Sequence, residues 1–322
     1  MKNPGKLSVL AALATAALTL SACGGSADAD SNSGGTTEGT NSSATVTVEH
    51  AQGSTEVPAN PENVYTFDLG ALDTLDSLGV DVTGVPEAAF PESLAAYASD
   101  EYTKIGSMKE PDFEAIAAGA PDLIIISGRT ADSYDKLSEI APTIDLSVDQ
   151  AAPIESFKEI STTLGEIFGQ EDAVADRLAE IDSTIGEANE NAKNAGTGLV
   201  ILTNAGEITA YGAGSRFGLI HDVLGVQTAA DVKAEGSHGE SVSFEFIAEA
   251  NPDHLFVIDR DAALGESGEA AAAVLDNELV NGTTAAQNDQ IVYLDAASWY
   301  LVGYGLGNVE AMVSSVNDAL AG

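Results

Sequence analysis

Arginine is the informative residue in this sequence. The chain has four of them, Arg129, Arg177, Arg216 and Arg260, against 51 acidic residues, 12 basic residues in all and a formal net charge of -39. A guanidinium keeps its proton and presents forked donors to paired oxygens, so an arginine without an acidic partner is a candidate anion ligand. Arg177 sits among acids in a long helical pattern, where a solvated ion pair accounts for it. The other three follow strands or turns. Arg129 lies just beyond the apolar run Leu123–Ile126, Arg260 just beyond His254–Ile258, and Arg216 after Tyr211-Gly-Ala-Gly-Ser. In open α/β sheets, ligands bind outside the carboxyl ends of the strands, which is where such arginines stand.

Other reactive types are sparse. His238 lies in the glycine-flanked loop Glu235-Gly-Ser-His-Gly239, and Tyr300 follows Trp299, the only tryptophan. His50, His221 and His254 read as structural and form no spacing suited to a bare zinc or manganese ion. Ser237 and His238 are adjacent but have no third triad member, and no Gly-x-Ser-x-Gly elbow is present, so no catalytic residue is assigned. Gly303-Tyr-Gly-Leu-Gly307 and Gly212-Ala-Gly-Ser-Arg216 lack the full dinucleotide fingerprint. Glu114 and Glu245 each fall early in a short helix, where an acid gains about 0.3–1 kcal/mol from the helix dipole.

The elements that must position these groups alternate β-branched runs with helical stretches, an α/β signature. At 322 residues, with 44% hydrophobic and 20% charged positions, the chain has the composition and length of about two globular domains. Strands are expected at Thr45–Val48, Val64–Phe67, Val82–Val85, Leu123–Ile126, Thr143–Leu146, Leu199–Thr203, Ile208–Tyr211, His254–Ile258 and Ile291–Leu294. Helices include Leu72–Leu78, Phe113–Ala118 and Asp132–Ile140. Residues 112–129 lie over 243–260 without a gap, 131 positions apart, with Phe, Glu, Ile, Ala, Pro, Asp and the final Arg coinciding. Leu75–Val80 similarly echoes His221–Val226. This repeat implies two similar lobes, and it makes Arg129 with Arg260, and Glu114 with Glu245, matched pairs. Between the repeats, Val174, Leu178, Ile181, Ile185 and Ala188 recur at helical spacing. A helix over roughly 170–194, about 37 Å long, is expected as the only crossing between lobes, a strut that permits small rocking and resists wide opening.

The N-terminus is a separate region. Lys2 and Lys6 precede an uncharged apolar run, Leu7–Leu20, too short to span a membrane, and then Leu20-Ser21-Ala22-Cys23. Cys23 is the only cysteine. Residues 24–44 contain no large apolar side chain and read as a flexible tether. The acidity excludes nucleic acid as a partner, because a phosphate backbone needs a basic face. It argues equally against binding to anionic lipid surfaces. The expected organisation is a signal peptide at 1–22, Cys23 and tether at 23–44, an N-terminal α/β lobe at 45–168, an interlobe helix at 169–195 and a C-terminal α/β lobe at 196–322.

Leu20-Ser21-Ala22-Cys23 resembles a bacterial lipobox, which implies a diacylglyceryl thioether on Cys23 and anchoring at the outer face of the cell membrane. Lipobox, tether and helix-bridged lobes together resemble the substrate-binding lipoproteins of bacterial ABC importers, in the subclass handling ferric siderophores, haem and cobalamin (the class III binding-protein fold, two Rossmann-like lobes). Pro121-Asp-Leu-Ile-Ile-Ile-Ser-Gly-Arg129, Gly214-Ser-Arg-Phe-Gly218, Val242-Ser-Phe-Glu-Phe-Ile247 and Trp299-Tyr300 are similar to its catecholate, petrobactin-type branch. The resemblance implies a monomeric binding protein, not an enzyme, with no cofactor of its own. It would capture an Fe(III)–siderophore for an ABC permease. Arg129, Arg216 and Arg260 would clamp the anionic complex beside Trp299 and Tyr300, and one unit pair at about 4 Å is worth roughly 4 kcal/mol at an effective dielectric near 20. His238 and Tyr300 would complete the shell of iron held by only four siderophore oxygens, and Glu114 and Glu245 would dock on the permease. The same fold binding ferric hydroxamate, haem or cobalamin is the alternative. An α/β hydrolase or a cell-surface adhesion protein is the reading from another class.

Overall fold

A computed structural model describes residues 44–233, 239–268 and 270–322. Five parallel strands form the first sheet, in the order β5-β4-β3-β6-β7: β3 (Val64–Thr66), β4 (Gly84–Glu87), β5 (Thr103–Ser107), β6 (Leu123–Ile126) and β7 (Thr143–Asp145). A hairpin of β1 (Thr45–His50) and β2 (Gly53–Pro58) packs beside β7. The second sheet contains β8 (Thr197–Asn204), β9 (Glu207–Tyr211), β10 (Gln227–Thr228), β11 (Glu240–Val242), β12 (His254–Asp259) and β13 (Ile291–Tyr293). Its centre, β8-β12-β13, is parallel, and β9 and β11 are antiparallel.

Parallel strands covered on both faces read as unbroken apolar runs. Leu123–Ile126 is such a run, with all four side chains fully buried, each worth roughly 1.5–3 kcal/mol relative to exposure. The internal repeat is a structural one. Helices Phe113–Gly119 and Phe244–Ala250 are each seven residues long and each ends on a left-handed residue, Ala120 and Asn251. They lead into β6 and β12, so Arg129 and Arg260 follow equivalent strands.

Two antiparallel helices join the lobes. The first, Pro153–Phe168, puts Ile154 and Phe157 in the core beneath the second sheet and Leu164, Ile167 and Phe168 in the core beneath the first. Gly169, at φ +62°, turns the chain into the strut helix Glu171–Ala192, about 33 Å long at 1.5 Å per residue. A single crossing was expected, but this helix is not the only tie between the two sheets. Leu301 and Val302, late in the chain, are buried in the first-lobe core, while Trp299 beside them is buried in the second. The C-terminal helix Leu306–Ala321 also packs on the first-lobe helix Leu69–Ser77.

Candidate functional site

A cleft of about 650 Å³ opens where the carboxyl ends of the two sheets meet. Arg129 enters it from the first lobe, and Arg216, Trp299 and Tyr300 from segments of the second. Each is placed by local chemistry. Arg129 follows β6 through Ser127 and Gly128. Arg216 follows a turn in which Gly214 sits at φ +70° and the Ser215 hydroxyl donates to the Gly212 carbonyl at 2.6 Å. Trp299 and Tyr300 ride on a single π-helical turn, Ser298–Val302, whose first N–H is accepted by Asp295 Oδ1 at 2.7 Å.

Tyr300 gathers the arginines. Its carbonyl accepts from Arg129 Nη2 at 2.8 Å and from Arg216 Nη2 at 3.0 Å. The neighbouring Leu301 carbonyl accepts from Arg129 Nη1 at 3.1 Å. The Tyr300 hydroxyl accepts from Arg260 Nε at 3.0 Å. Its ring lies 4.7 Å from the Arg216 guanidinium carbon and 5.7 Å from that of Arg260, within cation–π range. Arg260 thus joins the cluster through the phenol and does not itself line the cleft.

The electrostatics follow from this crowding. Burial lowers the Arg216 pKa, Arg129 lowers it further, and Tyr300 and Tyr211 offset part of the effect. Burial alone would raise the Tyr300 phenol. The Arg260 hydrogen bond and the charges of Arg260, Arg216 and Arg129 outweigh it, so the phenol sits below its ordinary value. Among the described residues, neither Arg129 nor Arg216 has a carboxylate within ion-pair distance. Their hydrogen-bond partners are neutral carbonyls, which leave donors available to an anion.

The remaining sequence candidates separate. Arg177 pairs with Glu310 at 2.6 Å, away from the cleft. His50, His221 and His254 each hydrogen-bond a nearby oxygen, in keeping with structural roles. Glu114 and Glu245 are exposed at matched places on the repeat helices, and a Ser243 hydrogen bond holds Glu245 below the ordinary carboxylate range. His238 and Cys23 lie outside the described residues.

Sequence reasoning missed Asp68, Ser127, Ser147 and Gln150, which also line the cleft. Asp68 follows β3 as Arg129 follows β6, so the strand-end rule would have found it. Its Oδ1 caps the helix Leu69–Ser77 through the Ala71 N–H at 2.6 Å. Burial raises its carboxyl pKa against the pull of Ser127, Ala71 and Arg129. Asn204 was missed as well; its Oδ1 accepts from Arg260 Nη1 at 2.7 Å.

The model of a family described as periplasmic binding protein matches residues 64–297. The chain is 44% identical over 320 residues to the petrobactin-binding protein YclQ of Bacillus subtilis, covering 98% of this chain and 99% of that protein. The crystal structure of YclQ matches with a TM-score of 0.84 and 47% identity, covering 87% of this chain and 99% of the other. The periplasmic catecholate-siderophore binding protein VctP of Vibrio cholerae matches with a TM-score of 0.80 and 36% identity, covering 85% and 100%.

Proposed function

The chain belongs to the periplasmic binding protein family, and from that membership we propose that it captures a ferric siderophore, an iron–catecholate complex, and hands it to an ABC importer. It is a transport component and not an enzyme, and it works on the extracytoplasmic side. One observation carries the choice of ligand. In a chain of net charge -39, arginines from opposite lobes face one cleft with only neutral partners among the described residues. A trianionic ferric tris-catecholate matches that charge, and a neutral ferric hydroxamate does not. Relatives named for petrobactin and for catecholate siderophores agree with the choice.

In this reading Arg129 and Arg216 contact the complex, Arg260 acts beside them through Tyr300, and Trp299 forms the wall. His238 and the Tyr300 phenol would ligate iron that a siderophore holds with only four oxygens; the depressed phenol favours a phenolate donor. The N-terminal lobe spans 45–168, the interlobe helix 169–195 and the C-terminal lobe 196–322. The protein acts as a monomer, with Glu114 and Glu245 docking on the permease and Cys23 carrying the lipid anchor. Charge reversal of both glutamates should lower import with ligand affinity intact, and Cys23→Ala should release the protein from membranes. The deciding experiment is titration of Trp299 fluorescence with ferric enterobactin, a ferric hydroxamate and haem. Tight binding of the catecholate alone is expected, and preference for either of the others would reject the reading.

A further inference from the structure

The arginine cluster hangs on one short turn, and what fixes that turn is a polar connection from the opposite lobe. Asp73 lies on the first-lobe helix Leu69–Ser77 and is buried at 6% exposure. Its Oδ2 accepts the backbone N–H of Asn308 at 2.8 Å, in the first turn of the C-terminal helix Leu306–Ala321. Thr74 Oγ1 accepts the Leu306 N–H at 3.1 Å. Four N–H groups at a helix start lack partners within the helix. Here two of them are served by side chains of the other lobe.

Asn308 passes the connection on. Its side chain, 4% exposed, donates through Nδ2 to the Ser298 carbonyl at 3.0 Å and to the Gly303 carbonyl at 2.7 Å. Those two carbonyls bracket the turn Ser298–Val302 that presents Tyr300. The backbones meet closely enough to exclude side chains. A Cβ on Gly70 would stand 2.7 Å from the Tyr304 carbonyl oxygen, and one on Gly305 would stand 2.6 Å from both Asp73 Oδ2 and the Gly70 carbonyl oxygen.

We propose that Asp73 and Asn308 form a positioning relay for ligand capture: Asp73 caps the C-terminal helix from across the lobe boundary, and Asn308 transfers that constraint to the turn whose Tyr300 gathers Arg129, Arg216 and Arg260. Neither residue lines the cleft. The relay explains why segment 298–308, which follows the second sheet in sequence, is stitched into the first lobe. It sets the spacing of arginines that arrive from both lobes. The inference rests on the ferric-catecholate reading for its ligand, but not for its geometry.

The test uses the full chain with Asp73→Ala, Asp73→Asn, Asn308→Ala and the Asp73→Ala/Asn308→Ala double variant, each checked for native far-ultraviolet circular dichroism. Two quantities are measured: affinity for ferric enterobactin, and the ionisation midpoint of Tyr300 from ultraviolet difference spectra against a Tyr300→Phe background. Asp73→Ala and Asn308→Ala should each weaken binding tenfold or more. Asp73→Asn, which keeps one acceptor, should lose less. The double variant should lose no more than the larger single loss, because serial elements are not additive. The Tyr300 midpoint should rise toward that of an ordinary phenol as the arginines disperse. If Asp73→Ala does not fold, Asn308→Ala carries the same comparison. Folded variants with unchanged affinity and an unchanged Tyr300 midpoint would overturn the relay. If the parent protein fails to bind ferric enterobactin, the functional reading falls, and the ligand-free Tyr300 titration still decides the relay.

Discussion

Arg129 and Arg260 close matching segments of an internal repeat, yet their surroundings are unlike. Arg129 gives two hydrogen bonds to the Tyr300 and Leu301 carbonyls and has no acid within ion-pair distance among the described residues. Arg260 donates to Asn204 and to the Tyr300 hydroxyl, with Asp261 at 4.0 Å and Glu266 at 3.8 Å. The first arginine lines the cleft with no acid in ion-pair distance among the described residues, although it pulls on the Asp68 carboxyl across the cleft lining. The second is partly neutralised and acts on the cleft through a phenol. The repeat reproduced the strand ending but not the charge balance, so equivalent positions have different electrostatic surroundings.

The largest expected effect breaks the two apart. Arg129→Ala removes a charge that has no ion-pair partner among the described residues from a partly desolvated site and should cost roughly 2–5 kcal/mol in ferric-catecholate binding, more than a tenfold loss. Arg260→Ala removes a charge already screened by two acids and solvent, and should cost about 1 kcal/mol or less. Calorimetric titration of both variants with ferric enterobactin checks this. Equal losses would mean that both arginines touch the ligand.

The relay beneath the cluster adds a pH signature. Burial raises the Asp73 carboxyl to about 6, against the pull of the Asn308 and Gly307 N–H groups. Asp76 on the same helix raises it further, and Arg177 on the strut lowers it. Glu310 on the C-terminal helix is turned to Arg177. On the packed helix Pro153–Phe168, Glu155, Glu159 and Glu166 are exposed and Lys158 pairs with Asp182. A raised carboxylate pKa means that the folded state holds the proton more tightly than the unfolded one. Stability from Asp73 therefore grows as pH falls from about 7 toward 4, by at most about 3 kcal/mol. The stability of the parent protein relative to Asp73→Asn should rise over that interval in urea melts. A difference that shrinks on acidification would contradict the sign.

Much of the contrast between the two arginines was legible in the sequence, and some was not. The strands Leu123–Ile126 and His254–Asp259 announce themselves because parallel strands buried on both faces are continuously apolar. The arginines after them stand out because so few basic residues exist. Thr103–Ser107 was invisible: Thr-Lys-Ile-Gly-Ser on a sheet edge buries only Ile105 fully. Strand β4 was expected two residues too early, at Val82, because Val82 is buried in the core without joining the ladder. The helix expected from Leu72 begins at Leu69, since Asp68 caps it. Asp132–Ile140 breaks into a short 3₁₀ turn and the five-residue helix Tyr134–Ser138. Asp73 and Asn308 gave no signal, because a buried acid reads like any surface acid until its partner, 235 residues away, is seen.

Tyr300→Phe is a smaller and more selective perturbation. It removes the acceptor for Arg260 and leaves the carbonyl that holds Arg129 and Arg216. Six-oxygen ferric complexes should lose less than about threefold. Four-oxygen complexes, whose iron needs two further ligands, should lose about tenfold or more, together with a phenolate-to-iron absorption band. Equal losses for the two ligand classes would leave Tyr300 as a support for Arg260 only.

The smallest effect tests whether the acids near Arg260 set its quieter role. Glu266 is more than half exposed and stands 3.8 Å from Arg260, so its attraction is screened and worth about 0.2–1 kcal/mol. Removing its charge in Glu266→Gln leaves the Asn204 and Tyr300 contacts of Arg260 in place, because neither involves Glu266. More of the guanidinium charge then reaches an anionic ligand through the Tyr300 side of the cleft. Affinity for ferric enterobactin should rise about twofold at low ionic strength, and the gain should vanish near 0.5 M salt, where the screening length falls to a few ångströms. Glu266→Gln in an Arg260→Ala background should change nothing. A gain that persists there would show that Glu266 repels the ligand directly, and Arg260 would then be no more sheltered than Arg129.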